Sequence, residues 1–396
     1  MLTRRLNRPP LWRDQKAIAI AVQAFTLALI LLVGIWLWSN FQQRTAAIGL
    51  DLNFDFLRQP ANIPIADNPL SKDASISATL LQALKNTFLV ILAGIPLSLL
   101  LGTLVGIARM STNWLVRKLA TGYVEIIRNL PPLLIIVFLW GGVFLAFPAV
   151  GEGAEAENPW SLFGGWMLFS NSRFGFPSVV GLDNFEVYRT VFVSSVVIAG
   201  AVWIWRTWVF NRTGKPHRRL FWSLATLLSL SAVAFLVLQG PFEFSKPMLA
   251  GRVWSGGFRM QMPYVALMLA LVLYTGSHIS EIVRGSILAV HKGQVEASHA
   301  LALNGLQRYR FVILPQAFRI AFPSLINQFL NYTKNSSLGV AIGFAEVTSV
   351  IFNLFGQSQP APQLLLVLMF TYLALSLLLS AIGNLVNRLL TLEGAA

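Results

Sequence analysis

Cysteine is absent from the 396-residue sequence, which excludes disulfides and thiolate metal sites. Charge is scarce: 12% of residues are Asp, Glu, Lys or Arg, against about 25% in a soluble globular domain. Histidine occurs four times, and the His-x-x-Glu pair His278 and Glu281 has no second pair to complete it, so no metal site is expected. No G-x-x-x-x-G-K-[ST] loop is present, so the chain is not expected to hydrolyse ATP itself and holds no cofactor of its own. HExxH and G-x-S-x-G are also missing, which leaves an intramembrane hydrolase without support. Strict apolar/polar alternation is lacking too, against an outer-membrane barrel.

What is present is apolar. Hydrophobic residues make up 55% of the chain, and several runs reach the roughly 18 residues a helix needs to cross a bilayer. The expected fold is an all-α polytopic membrane protein with spans near 17–38, 80–108, 130–147, 190–210, 220–239, 263–283, 318–352 and 362–387. The net charge of +14 is distributed unevenly. With the N-terminus inside, the interior segments carry 19 Lys or Arg and the exterior segments 8. That asymmetry orients the protein with both termini in the cytoplasm. No basic stretch is interleaved with aromatics, so nucleic acid is not an expected partner; the lipid bilayer is.

Four regions follow. Residues 1–79 comprise a cytoplasmic tail, a first span and an exterior loop. Residues 80–147 form a two-span unit joined by the basic segment RMSTNWLVRK. Residues 148–262 read as an insertion with two extra spans and an acidic exterior stretch, GEGAEAENPW, expected to be mobile. Within it, Arg206 is expected to snorkel from an aromatic span toward the headgroups. Residues 263–396 form a second unit, containing an interior loop at 285–317.

That loop holds GQVEASHALALNGLQRYRFVILPQA, too polar to cross a membrane. Gln294 to Leu303 are good helix formers. Asn304-Gly305 reads as a stop, because both tolerate the left-handed conformation. Leu306 to Leu314 reads as a second short helix, and Pro315 as a further break. The Ala and Leu stripe needs a partner, either the chain's own span ends or another protein.

Glu296-Ala297-Ser298 followed by Leu314-Pro315 resembles the EAA loop of permease subunits in bacterial ABC importers. Ser298 replaces the usual second Ala. Ala302 stands where that family usually has Gly, with Gly305 three residues on. The resemblance implies that the 293–315 loop docks into a groove on a separate ATPase subunit, through Glu296, Ala297, Ser298, Ala302, Gly305, Leu314 and Pro315. Residues 86–114, 123–134 and 274–298 are similar to permeases for polar or general L-amino acids of the glutamate, glutamine and aspartate type. That likeness implies a five-span core, a second homologous permease subunit and two ATPase subunits that bind ATP and Mg. It also implies an extracytoplasmic amino-acid-binding protein and the bacterial inner membrane.

Polar residues interrupt the span PSLINQFLNYTKNSSLGVAIGF. Lys334 lies roughly 16 Å along a helix from Pro323, near the bilayer middle. Asn327, Asn331 and Lys334 share one helix face, and Asn335 and Ser336 follow. Such a cluster marks either a substrate pathway or hydrogen bonds between helices. Resemblance adds that KNSSL looks like the family's Lys-x-Thr-Ser-Leu element. Glu281 is expected to pair with a basic residue, Arg284 being nearest in sequence. Asn86-Thr87 and Arg128-Asn129 are expected to cap helices and anchor loops. An ion-coupled secondary transporter using Lys334 and Glu281 is the alternative function, and a non-transporting scaffold a third.

Overall fold

The computed structural model describes residues 14–47, 53–63, 65, 73–150, 158–214, 218–250 and 253–390. Most of the acidic stretch GEGAEAENPW lies outside them. Six helices are long and apolar enough to cross a membrane: α1 (Gln15–Ala47), α2 (Ile76–Ala108), α5 (Phe185–Thr213), α6 (Arg219–Val237), α7 (Met262–Leu288) and α12 (Ala361–Leu390). Counting each of two bent pairs as one span brings the number to as many as eight among the described residues. In one, α3 (Trp114–Arg128) turns by 107° into Pro132–Ala146, which opens with α4 (Pro132–Val137). In the other, Gly305–Ile342 turns by 43° into α11 (Val347–Gly356). The basic segment expected to be a plain connection is thus partly helical, begun by Asn113, whose side chain accepts from the N–H groups of Leu115 and Val116.

The bundle is built around α2 and α7. Along α2, Gly94, Ser98, Gly102 and Gly106 recur every fourth residue, and all four are buried. Small residues at that spacing let two helix backbones approach closely. A Cβ on Gly102 would lie 2.6 Å from Ile279 and 2.8 Å from the Gly276 carbonyl oxygen; one on Gly106 would lie 2.9 Å from the Ser280 carbonyl oxygen. Tyr332 fills the space over Gly94. It is completely buried, and its hydroxyl donates to the Val90 carbonyl at 3.3 Å. Around it pack Ile136, Leu267, Leu271 and Phe344. A second core joins the start of α2 to α11 and α12 through Ile76, Leu80, Ile351, Leu354 and Leu364.

Residues 158–262 contain β-structure that their sequence did not suggest. A four-stranded antiparallel sheet runs β1 (Trp160–Leu162), β2 (Met167–Phe169), β3 (Arg173–Phe176), β8 (Phe258–Gln261). Two more pairs form, β4 (Ser178–Gly181) with β5 (Phe242–Ser245) and β6 (Met248–Ala250) with β7 (Val253–Ser255). The register of β3 with β8 sets Arg173 opposite Gln261 and Phe176 opposite Phe258. Strand pairing therefore joins the two segments on either side of the α5–α6 hairpin. Aromatic contacts reinforce it, with Phe169 stacked on Phe174 at 4.6 Å and Phe176 against Phe258 at 5.0 Å. Arg206 does not simply snorkel: its guanidinium lies 4.8 Å from the Trp222 ring, a cation–π contact holding α5 to α6.

Candidate functional site

The 292–315 segment is helical but differs from its sequence reading in three places. α8 (Lys292–Ala300) starts where the His291 ring nitrogen accepts from the Gly293 N–H at 3.1 Å. It ends at Ala302, not at Asn304-Gly305, because Ala302 adopts the left-handed conformation with φ 54°. Asn304 starts the next helix instead. It and Gln307 form a reciprocal capping box on α9 (Gly305–Arg308), at 2.9 and 3.0 Å. Pro315 is no break: a π-turn at Tyr309–Ile313 runs directly into α10 (Leu314–Asn335), with Pro315 in its first turn, where no N–H is needed. Contact between His299 and Arg308 braces α8 against α9.

Exposure sorts the expected docking residues. Glu296, Ala297, Ala302, Gly305, Leu314 and Pro315 are exposed. Ser298 is not. It is buried with its hydroxyl donating to the Val295 carbonyl at 2.6 Å, so it faces the chain's own core and is removed from the docking set. Leu301 and Leu306 were missed. They are 74% and 79% exposed, on a segment too polar to lie in lipid.

Glu281 sits near the end of α7 leading into this segment. It accepts a hydrogen bond from Arg109, at the end of α2, and has Arg284 at 3.5 Å and Arg128, from the last turn of α3, at 3.6 Å. Arg284 was expected; Arg109 and Arg128 were not. Neighbouring Asn129 donates to the Glu125 carbonyl at 2.6 Å.

On α10, Asn327, Asn331 and Lys334 form an exposed polar stripe. No ion pair among the described residues reaches Lys334. Asn335 is half-buried, and Ser336 leaves the stripe: it is fully buried and donates to the Thr333 carbonyl at 2.7 Å. Beyond it the helix tightens to a 3-10 turn over Ser336–Ile342 and breaks at Gly343, φ 69°. α2 anchors that break. Asn86 donates to the Ala345 carbonyl at 2.8 Å, and the Thr87 hydroxyl accepts from the Val347 N–H at 3.3 Å. Buried Glu346 restarts the chain as α11 by accepting from the N–H groups of Thr348 and Ser349, both at 2.8 Å, and from the Tyr372 hydroxyl at 3.0 Å. Glu346 escaped sequence reading, because glutamate is not among the residues that usually begin a helix.

Comparison with known proteins places this arrangement. The family described as binding-protein-dependent transport system inner membrane component matches residues 94–392. The general L-amino acid transport system permease protein AapQ of Rhizobium johnstonii is 35% identical over 372 residues, 91% of this chain and 90% of the relative. The glutamate/glutamine/aspartate/asparagine transport system permease protein BztB of Rhodobacter capsulatus is 33% identical over 409 residues, 96% of this chain and 95% of the relative. The putative amino-acid ABC transporter permease protein YhdX of Escherichia coli is 32% identical, covering 91% and 92%. Those three alignments span the inserted hairpin as well as the bundle. With α7, the exposed α8–α9 segment, the broken α10 and α12 all inside the family match, the chain belongs to the binding-protein-dependent transport system inner membrane components.

Proposed function

We propose that this chain is the transmembrane subunit of an ATP-driven amino-acid importer. It lies in a bacterial inner membrane with both termini cytoplasmic. It forms the translocation path with a second, homologous permease subunit and couples through residues 292–308 to two separate ATPase subunits, which bind the ATP and Mg. An extracytoplasmic binding protein delivers the amino acid. The single observation that carries the coupling is the exposed pair Leu301 and Leu306, set beside Glu296 on a segment continuous with α10. An apolar pair in that setting needs a partner surface, and a helix seated in a groove supplies one. Rigid-body motion of the partner is then passed to α10 and its polar stripe.

Nothing favours the ion-coupled alternative. Glu281 is taken up by arginines, and Lys334 faces outward from α10. The exposed stripe of Asn327, Asn331 and Lys334 is suited to the substrate path, where one fixed cation can meet the carboxylate shared by all amino acids. Co-expression with the candidate ATPase and second permease tests the assignment. The complex is expected to co-purify, and uptake of L-glutamate and L-glutamine is expected to need ATP and all subunits. Uptake by this chain alone in an ion gradient would overturn it.

A further inference from the structure

A cavity of about 560 Å³ lies between α5, the start of α6 and the π-turn that follows α9. Arg218 and Arg219 line it from the start of α6, and Arg310 from the π-turn. Trp203 and Phe210 of α5 and Phe221 of α6 supply aromatic walls. Among the described residues, no carboxylate lines it and none of the three arginines makes an ion pair. The cavity is remote in sequence from the Lys334 stripe, and no residue of the Glu281 cluster lines it.

We propose that this cavity binds the phosphate of one anionic phospholipid. Three arginines from two stretches of chain far apart in sequence line this one cavity, and guanidinium groups match phosphate oxygens in geometry as well as charge. The Arg219 guanidinium lies 5.6 Å from the Trp203 ring and 5.4 Å from the Phe210 ring, which holds it in place. Among the described residues its hydrogen bond is to the Thr207 hydroxyl at 3.4 Å, which leaves further N–H groups for a ligand. Arg218 takes a left-handed backbone, φ 39° and ψ 45°, which a side-chain-bearing residue adopts only when its surroundings hold it there. The setting selects a lipid over a free anion. Trp203, Trp205 and Trp208 are exposed on α5 beside the cavity, as in an interfacial aromatic belt, and the apolar surfaces of α5 and α6 beyond offer a path for acyl chains. Basic pockets at such a level hold anionic headgroups. A bound lipid would tie the inserted hairpin to the segment entering α10. That consequence rests on the coupling reading above; the binding itself does not.

The full chain, purified in neutral detergent and stripped of lipid, is titrated with phosphatidylglycerol or phosphatidylcholine in mixed micelles, and retained lipid is counted by native mass spectrometry. A single phosphatidylglycerol is expected to stay bound, with phosphatidylcholine retained far less. Arg219→Gln with Arg310→Gln is expected to weaken retention on the order of tenfold or more. Arg212→Gln, outside the cavity and stacked on Trp208, is expected to change nothing. Arg310→Lys, which keeps the charge but not the guanidinium fork, is expected to retain the lipid less well than the parent and better than the double variant. Equal retention of the two lipids, or undiminished retention in the double variant, would overturn the site. Displacement by inorganic phosphate would make it a free-anion site and overturn the lipid assignment.

Discussion

Arg109, at the end of α2, donates a hydrogen bond to Glu281 of α7, 172 positions later, and so locks together the lower ends of the two central helices. Arg109 is only 11% exposed, while Arg284 and Arg128 approach the same carboxylate from its more open side. Glu281→Gln is therefore expected to destabilise more than any single arginine variant, because it leaves three guanidinium groups without a countercharge. About 1.5–3 kcal/mol is expected for Glu281→Gln, and no more than about 1 kcal/mol for Arg284→Gln. Thermal unfolding in detergent measures both, and equal losses would show that Arg109 and Arg128 contribute nothing to the cluster.

Gly102→Leu is expected to force α2 and α7 apart, since even a Cβ there overlaps Ile279. A loss of about 1–3 kcal/mol follows from overpacking. Gly122→Leu, at a position with open space, is the control and is expected to unfold like the parent.

Ala302 adopts φ 54°, where a Cβ is unfavourable. Ala302→Gly is expected to firm the α8–α9 turn by about 1 kcal/mol, and Ala302→Val to loosen it. Hydrogen exchange at the Leu303 amide, which donates back to the Ser298 carbonyl at 3.2 Å, reports on the turn directly. Faster exchange in Ala302→Gly would contradict the assigned conformation.

Glu296→Lys and Leu301→Asp are each expected to abolish uptake and release the ATPase while leaving the unfolding temperature of the isolated chain unchanged, because both side chains are exposed. Ser298→Asp is expected to differ: it buries a charge and should lower stability, by about 1–3 kcal/mol or more. Pull-down alongside thermal unfolding separates the two patterns.

Lys334→Met is expected to lower uptake of all amino acids together, with no loss of stability, since it breaks no ion pair among the described residues. Parent-level uptake by a well-expressed variant would remove Lys334 from the path.

Much of this architecture was readable. Lipid burial leaves a single long apolar run in sequence, so the spans and the polar 292–315 segment stood out from composition. Boundaries inside that segment were harder, because Asn304 serves equally as a helix stop and a helix start. Gln307, three residues on, decided for the start by completing the capping box. Pro315 carried the same ambiguity between break and first turn. The partners of Glu281 were invisible for a different reason: Arg109 and Arg128 reach it only after α2 and α3 have folded against α7. The β-strands escaped because runs of three or four residues are too short to display alternation.

The pairing of Phe176 with Phe258 means that the chain leaves the bundle and returns to it at neighbouring points. Everything between those residues, including both extra membrane helices, is an excursion whose two ends already lie side by side. A two-residue turn suffices to join antiparallel partners. Lengthening or shortening the excursion is therefore expected to leave the packing of α2 on α7 in place.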